Sequence, residues 1–425
     1  MLEYYDFFVY VALTATLTHL FLPNEDKVVA TLLGAATFGI SYVARPLGTV
    51  IFSPLSDRIG RKRTFVVTLV VMGAATVAIG CLPTYTTIGV WAPVALLTLR
   101  IIQGVALGGE YASAVVYLVE HSPRTKRGMI TSILQSTASV GLLLALALST
   151  LLKVTLSAAA FDSWGWRVPF LVSAPIVALA TLVRMNMKET PAFLELKQKG
   201  QLAKSPLTTA VKGWEAWKSI LLATFGAQGA TSVTLYTSIV YMLYFLDGVV
   251  HVDSGTANLC LGIGILIAAP FYPLFGRLSD RIGRSRVMAI GIALWMVVAY
   301  PAFAGIHSAG AAHMWTLVSA LITVLAVLTA MVMAPLPAFI SERFPSRTRT
   351  TGFGIAQQLG NILFGGFLPL INLSLVNVTG NPLAGVVYSI ASLVPCLIVT
   401  LLWGLRHEQS TAVSAQLASP DYATR

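Results

Sequence analysis

Charge is what this chain most lacks. Only 11% of its 425 residues are Asp, Glu, Lys or Arg, against about 25% in a soluble protein. So few charges cannot cover a water-facing surface of this size, which excludes a soluble enzyme, a nucleic-acid binder and a disordered chain. Acidic groups are the scarcer sign, 17 against 28 basic ones, for a net charge of +11. In a membrane protein such a surplus collects in cytoplasmic loops, so it does not call for nucleic acid. Cysteine is nearly missing. Cys81, Cys260 and Cys396 all lie in apolar runs and read as small core residues without a disulfide framework. The histidines, His19, His121, His251, His307, His313 and His407, show no ligand spacing, and no G-x-x-x-x-G-K-[ST] loop occurs. No metal, no cofactor, no catalytic centre and no direct use of ATP are therefore expected.

What the chain has is long apolar runs; 56% of its residues are hydrophobic. A spanning helix needs about 20 mostly apolar residues, and about twelve segments qualify. They lie near 2–22, 28–52, 64–82, 92–119, 129–152, 168–186, 219–246, 255–276, 287–305, 314–339, 351–375 and 384–405. No basic stretch precedes the first, so no cleavable leader is expected. The fold class is all-α integral membrane. A polar stretch with Lys188, Lys197, Lys199, Lys204, Lys212 and Lys218 divides the spans six from six. The expected organisation is a first six-helix half over 1–186, a cytoplasmic linker over 187–218, a second half over 219–406 and a cytoplasmic tail over 407–425.

Orientation follows from the cations. With a cytoplasmic N-terminus, 23 of the 28 Lys and Arg fall on the inner side, and the outer loops keep Lys27, Lys153 and Arg167. The positive-inside rule therefore puts both termini in the cytoplasm. Arg45 and Arg100 remain, inside spans.

An internal repeat names the architecture. Ser53-Pro-Leu-Ser-Asp-Arg-Ile-Gly-Arg-Lys-Arg63 returns as Gly276-Arg-Leu-Ser-Asp-Arg-Ile-Gly-Arg-Ser-Arg286, with Asp57 and Asp280 223 residues apart. Glu120, three residues before Pro123, is echoed at an offset of 222 by Glu342, three before Pro345. Two loop pairs in register mean two six-helix repeats, a transporter architecture with its site near the membrane midplane.

The Asp57-Arg58-Ile59-Gly60-Arg61-Lys62 loop resembles the signature of the major facilitator superfamily, and Leu99-Arg100-Ile101-Ile102-Gln103-Gly104 resembles its second motif. Narrower features resemble its metabolite:H+ symporter branch. They are Glu3-Tyr4-Tyr5-Asp6-Phe7, Ala44-Arg45-Pro46-Leu47-Gly48, Gly108-Gly109-Glu110, Trp164 to Phe170 and Glu189-Thr190-Pro191-Ala192-Phe193. The resemblance implies the major facilitator fold of two six-helix halves. It implies a monomeric carrier in the bacterial inner membrane, with lipid, protons and a small solute as its partners. Citrate, other dicarboxylates, shikimate, proline and betaine are carried in that branch.

Charges inside a bilayer cost at least ~2.5–3.5 kcal/mol each, so they face a cavity and pair. Arg45 and Arg100 are the candidate anion-binding groups, because the planar guanidinium donates two parallel bonds to a carboxylate. The plainer reading of Arg45 is a structural cation reaching toward the cytoplasm. Asp6 and Glu110 are the candidate proton carriers, since burial opposes ionisation and a neighbouring Arg restores it. A lasting helix–helix contact is the plainer reading of Glu110. Tyr5, Gln135, Tyr241 and Asn361 complete the expected substrate site, and inter-helix hydrogen bonding explains many such polar groups as well. Asp57, Arg58, Arg61, Asp280, Arg281 and Arg284 are the expected cytoplasmic gate, with fixing of orientation as the alternative. The expected activity is proton-coupled uptake of a small organic acid, such as a di- or tricarboxylate or a cyclic carboxylate. The same machine working on a zwitterion such as proline or betaine is the alternative.

Overall fold

A computed structural model describes residues 2–22, 27–203 and 205–404; Lys204 and the expected tail over 407–425 lie outside the described residues. The described residues form helices and connecting loops, with no strand among them. In chain order α1 comes in two pieces, Leu2–Ala12 and Thr14–Phe21, followed by α2 (Lys27–Ile59). Ten further helices follow: α3 (Arg61–Cys81), α4 (Trp91–His121), α5 (Arg124–Thr155), α6 (Gly165–Met185), α7 (Trp214–Gly248), α8 (Gly255–Ile282), α9 (Arg284–Ala311), α10 (Trp315–Ser341), α11 (Arg349–Thr379) and α12 (Ala384–Leu402). Among the described residues these ten are long and apolar enough to cross a membrane. The two pieces of α1 and the helix α2 stand where the first two spans are expected.

The helices gather into two compact units. Unit 1 holds Met1–His121, Leu134–Lys212 and Phe344–Ile362; unit 2 holds Ser122–Ile133, Gly213–Arg343 and Leu363–Arg425. Each unit thus draws a short segment from the opposite half of the sequence: the start of α5 belongs to unit 2 and the start of α11 to unit 1.

Small residues set the heart of unit 1. A Cβ on Gly104 would lie 2.2 Å from the Ser41 carbonyl oxygen, and one on Gly108 2.0 Å from that of Arg45. No side chain fits at either place, so α2 and α4 run backbone to backbone. The Thr49 hydroxyl adds a bond to the Gly108 carbonyl at 2.7 Å. One end of the unit packs around Trp166, wholly buried and edge-on to Phe21 at 5.5 Å. Beside it, Arg167 donates to the carbonyls of Gly80 and Leu82 at 2.9 and 2.6 Å, satisfying acceptors that the end of α3 leaves open.

Unit 2 is organised around α7, which carries two π-helical turns, Ala223–Gln228 and Tyr236–Tyr241. Such turns loosen the regular ladder and occur often at functional positions. Here buried polar side chains brace the second one. The Trp295 indole donates to Ser238 Oγ at 3.0 Å, Ser238 meets Thr329 at 3.0 Å, and Thr237 donates to Ser389 at 2.9 Å. Asp253 caps the start of α8 through the Thr256 N–H at 3.0 Å, and these Thr256 bonds hold its carboxyl below the usual range.

Candidate functional site

Seven of the eight residues expected to bind substrate or carry protons fall in unit 1: Tyr5, Asp6, Arg45, Arg100, Glu110, Gln135 and Asn361. Asn361 does so although it comes from the second half of the sequence. Tyr241 lies in unit 2, buried at the end of a π-turn, with its ring stacked on Phe303 at 5.8 Å.

The first helix meets α6. The Tyr5 hydroxyl donates to the Pro169 carbonyl at 2.9 Å, so it ties α1 to α6. Next to it Asp6, buried, accepts from the Ser173 hydroxyl at 2.5 Å. Arg100 is wholly buried on α4. Its Nη1 donates to Gln103 Oε1 at 3.0 Å, Gln103 passes a bond to Thr76 at 2.8 Å, and the guanidinium lies 3.7 Å from the centre of the Tyr10 ring. Those contacts suit a cation held in place by an aromatic face and an amide. Arg45 is buried on α2, where its backbone abuts Gly108.

Glu110 is wholly buried, and its Oε1 receives Arg184 Nη1 at 2.8 Å. Arg184, one of the cations counted on the inner side, is in the last turn of α6. Nothing in the local sequence marks it as a partner; the pairing appears only when α4 and α6 are packed. Gln135 accepts from the Tyr111 hydroxyl at 3.0 Å, and the Tyr111 ring lies 5.9 Å from Phe353. Asn361 ends the regular part of α11, just before a π-turn over Ile362–Gly366.

The expected gate residues divide. Asp57 accepts the Thr351 N–H at 3.0 Å and its hydroxyl at 2.7 Å, capping the start of α11, and pairs with Arg61 at 3.3 Å. Arg61 reaches Glu120 at 3.4 Å and the Ser346 carbonyl at 2.7 Å, and Arg349 closes the knot on Glu120 at 3.0 Å. In unit 2, Asp280 accepts the N–H groups of Gly128 and Met129, each at 2.9 Å, at the start of α5, and pairs with Arg284 at 2.8 Å. Glu342 adds Arg284 at 3.5 Å and Arg127 at 3.9 Å. Arg58 and Arg281 are exposed and stand outside both knots. Gly60 and Gly283 turn the chain within each motif with φ of 115° and 105°, a conformation that only glycine adopts freely.

Sequence reasoning passed over several of these partners. Glu120 and Glu342 were visible as a repeated pair, and their matched offset was the available signal. Glu189 opens the Glu189-Thr190-Pro191-Ala192-Phe193 motif; its carboxylate accepts the Arg61 N–H at 3.1 Å and so caps α3. A cavity of about 370 Å³ in unit 2, lined by Gly248, Val249, His307, Val376, Asn377, Gly380 and Pro382, holds none of the expected site residues.

Residues 1–403 match the family model described as sugar (and other) transporter. The chain is 31% identical to the proline/betaine transporter of Escherichia coli (strain K12), over 99% of this chain and 83% of that one. It is 33% identical to the shikimate transporter of the same strain, over 94% and 90% of the two chains. Among solved structures it resembles the proton:xylose symporter XylE bound to 6-bromo-6-deoxy-D-glucose. There the TM-score is 0.75 at 19% identity, over 94% of this chain and 93% of that one, a likeness of fold.

Proposed function

The chain belongs to the sugar (and other) transporter family, and from that premise we propose that it is a proton-coupled symporter importing a small carboxylate-bearing solute by alternating access. It is a multi-pass membrane transporter, not an enzyme. Its place in the reading is the inner membrane, with both termini cytoplasmic and the monomer as the working unit. The observation that carries the proposal is the set of buried charges in unit 1: Asp6, Arg45, Arg100 and Glu110. Charges inside a span mark a solute or proton pathway: an arginine can meet a carboxylate, and a buried carboxyl can carry a proton.

Arg45, buried on α2 where that helix runs against α4, is the anchor we propose for the solute. The capped starts of α11 and α5, on Asp57 and Asp280, serve as the gate and must release when the cytoplasmic side opens.

Two solute classes remain in play, each with its support. The shikimate transporter favours a cyclic organic acid; the proline/betaine transporter favours a zwitterion. They differ in electrical cost. An anion entering a negative-inside cell is opposed by about 2.3 kcal/mol per charge per 100 mV, and a zwitterion is not. Uptake of labelled shikimate, succinate, citrate, proline and betaine into proteoliposomes separates them. For an acid, at least as many protons as negative charges should co-move; for a zwitterion, uptake should be electrogenic and inward-positive. Outside acid should speed uptake, and a protonophore should abolish accumulation. Undiminished accumulation with the protonophore present overturns the proton-coupled reading. Arg45→Gln should weaken binding of the carboxylate more than that of its uncharged amide, and equal loss removes Arg45 from the site.

A further inference from the structure

The Glu110–Arg184 pair has one dry end and one wet end. The Glu110 side chain is 0% exposed and that of Arg184 is 13% exposed. The same guanidinium lies 3.5 Å from the centre of the Phe65 ring and donates to the Phe65 carbonyl at 3.1 Å, so three groups fix its position. Met185, the next residue, is the last of α6, and the polar linker follows. Arg184 therefore stands between a buried carboxyl and water. A second carboxyl docks on the same helix, since Asp6 accepts from Ser173, eleven residues earlier on α6 and about 16 Å away along the axis.

We propose that Arg184 is a positioning residue for proton release from Glu110 toward the cytoplasm. The inference rests on the reading of Glu110 as a proton carrier. The proton leaves the Glu110 carboxyl for water at the linker end of α6. The carboxylate left behind is held by Arg184, which stays a cation throughout, and no electron moves. The physical reason is the cost of a bare carboxylate in a dry interior, which a guanidinium in contact offsets.

Other charged groups lie on the elements packed against Glu110 and Arg184; most bind one another or lie at helix ends, and Arg45 stands on α2 with its backbone two residues along α4 from Glu110. Asp57, Arg61, Glu120 and Arg349 bind one another, and Glu195 pairs with Lys199. Asp6 is at Ser173 and Arg45 abuts Gly108. Lys62 donates to the Met185 carbonyl, Arg58 is exposed, and Arg63 and Lys197 sit on helix ends, as does His19 on α1.

The test compares gradient-driven accumulation with substrate exchange at equal pH, in proteoliposomes, with labelled shikimate and labelled betaine as probes. Arg184→Gln should cut accumulation about tenfold while exchange falls far less, and should move the internal pH for half-maximal net uptake by about one unit. Arg184→Lys should recover much of both. Accumulation and pH profile equal to wild type in Arg184→Gln overturn the inference. So does a parallel loss of accumulation and exchange that Lys does not repair. Glu110→Gln judges the parent reading separately: wild-type proton stoichiometry in that variant removes Glu110 as the carrier, whatever Arg184 does. Should Arg184→Gln fold poorly because it strands a buried carboxylate, the pair Glu110→Gln with Arg184→Gln strands none. Its pH profile should match Glu110→Gln alone, and a further shift overturns a role that runs through Glu110.

Discussion

The two copies of the loop motif share Leu-Ser-Asp-Arg-Ile-Gly-Arg, the same glycine turn and an aspartate that caps the start of a helix, yet they sit in different surroundings. In unit 1 the Asp57, Arg61 and Glu120 side chains are 0%, 0% and 1% exposed; their counterparts in unit 2, Asp280, Arg284 and Glu342, are 5%, 13% and 32% exposed. Asp57 accepts one N–H and one hydroxyl from a single residue, whereas Asp280 accepts two N–H groups from successive residues. A motif read from sequence therefore tells which groups meet, and burial tells how much it costs to separate them. Water replaces a lost partner in unit 2 far more readily than in unit 1.

The largest expected effect breaks this contrast at its buried end. Asp57→Ala leaves Arg61 dry beside a hole and should cost about 3–5 kcal/mol of stability, read as a lower Tm in detergent. Asp57→Asn keeps an acceptor for Thr351 and should fold, yet slow turnover more than it weakens substrate binding. Unchanged turnover with a large loss of binding would remove Asp57 from the gate. Asp280→Ala should cost less, about 1–3 kcal/mol, because Arg284 finds water. A cost equal to that of Asp57→Ala would dissolve the contrast between the two units. Thr351→Val removes the hydroxyl and keeps the N–H bond, so a loss near 1 kcal/mol is expected. Arg58→Gln and Arg281→Gln should change neither Tm nor turnover measurably, because both side chains are exposed.

The candidate site was legible in part. Burial of Asp6, Arg45, Arg100 and Glu110 follows from charges lying inside apolar runs, and the structure buries all four. Their partners did not follow. Arg184 lies 74 residues from Glu110 in the chain and Ser173 lies 167 from Asp6. Neither spacing carries a periodic signal. The Tyr5 hydroxyl likewise finds its acceptor far along the chain, at the Pro169 carbonyl 164 residues away.

What the amino-acid order determined by itself is whatever one segment decides alone. Apolar length makes a span, and glycine at 60 and 283 admits a positive φ that other residues resist. These are local properties, readable without knowing any neighbour. Only the tertiary structure decided which group each buried charge meets. Glu110 turned to Arg184, Arg100 to Tyr10 and Gln103, and Asp57 to Thr351 at the start of α11. A buried charge takes whatever partner helix packing brings within about 3 Å, and that packing is set by side-chain shape along whole helices, such as the close run of α2 on α4.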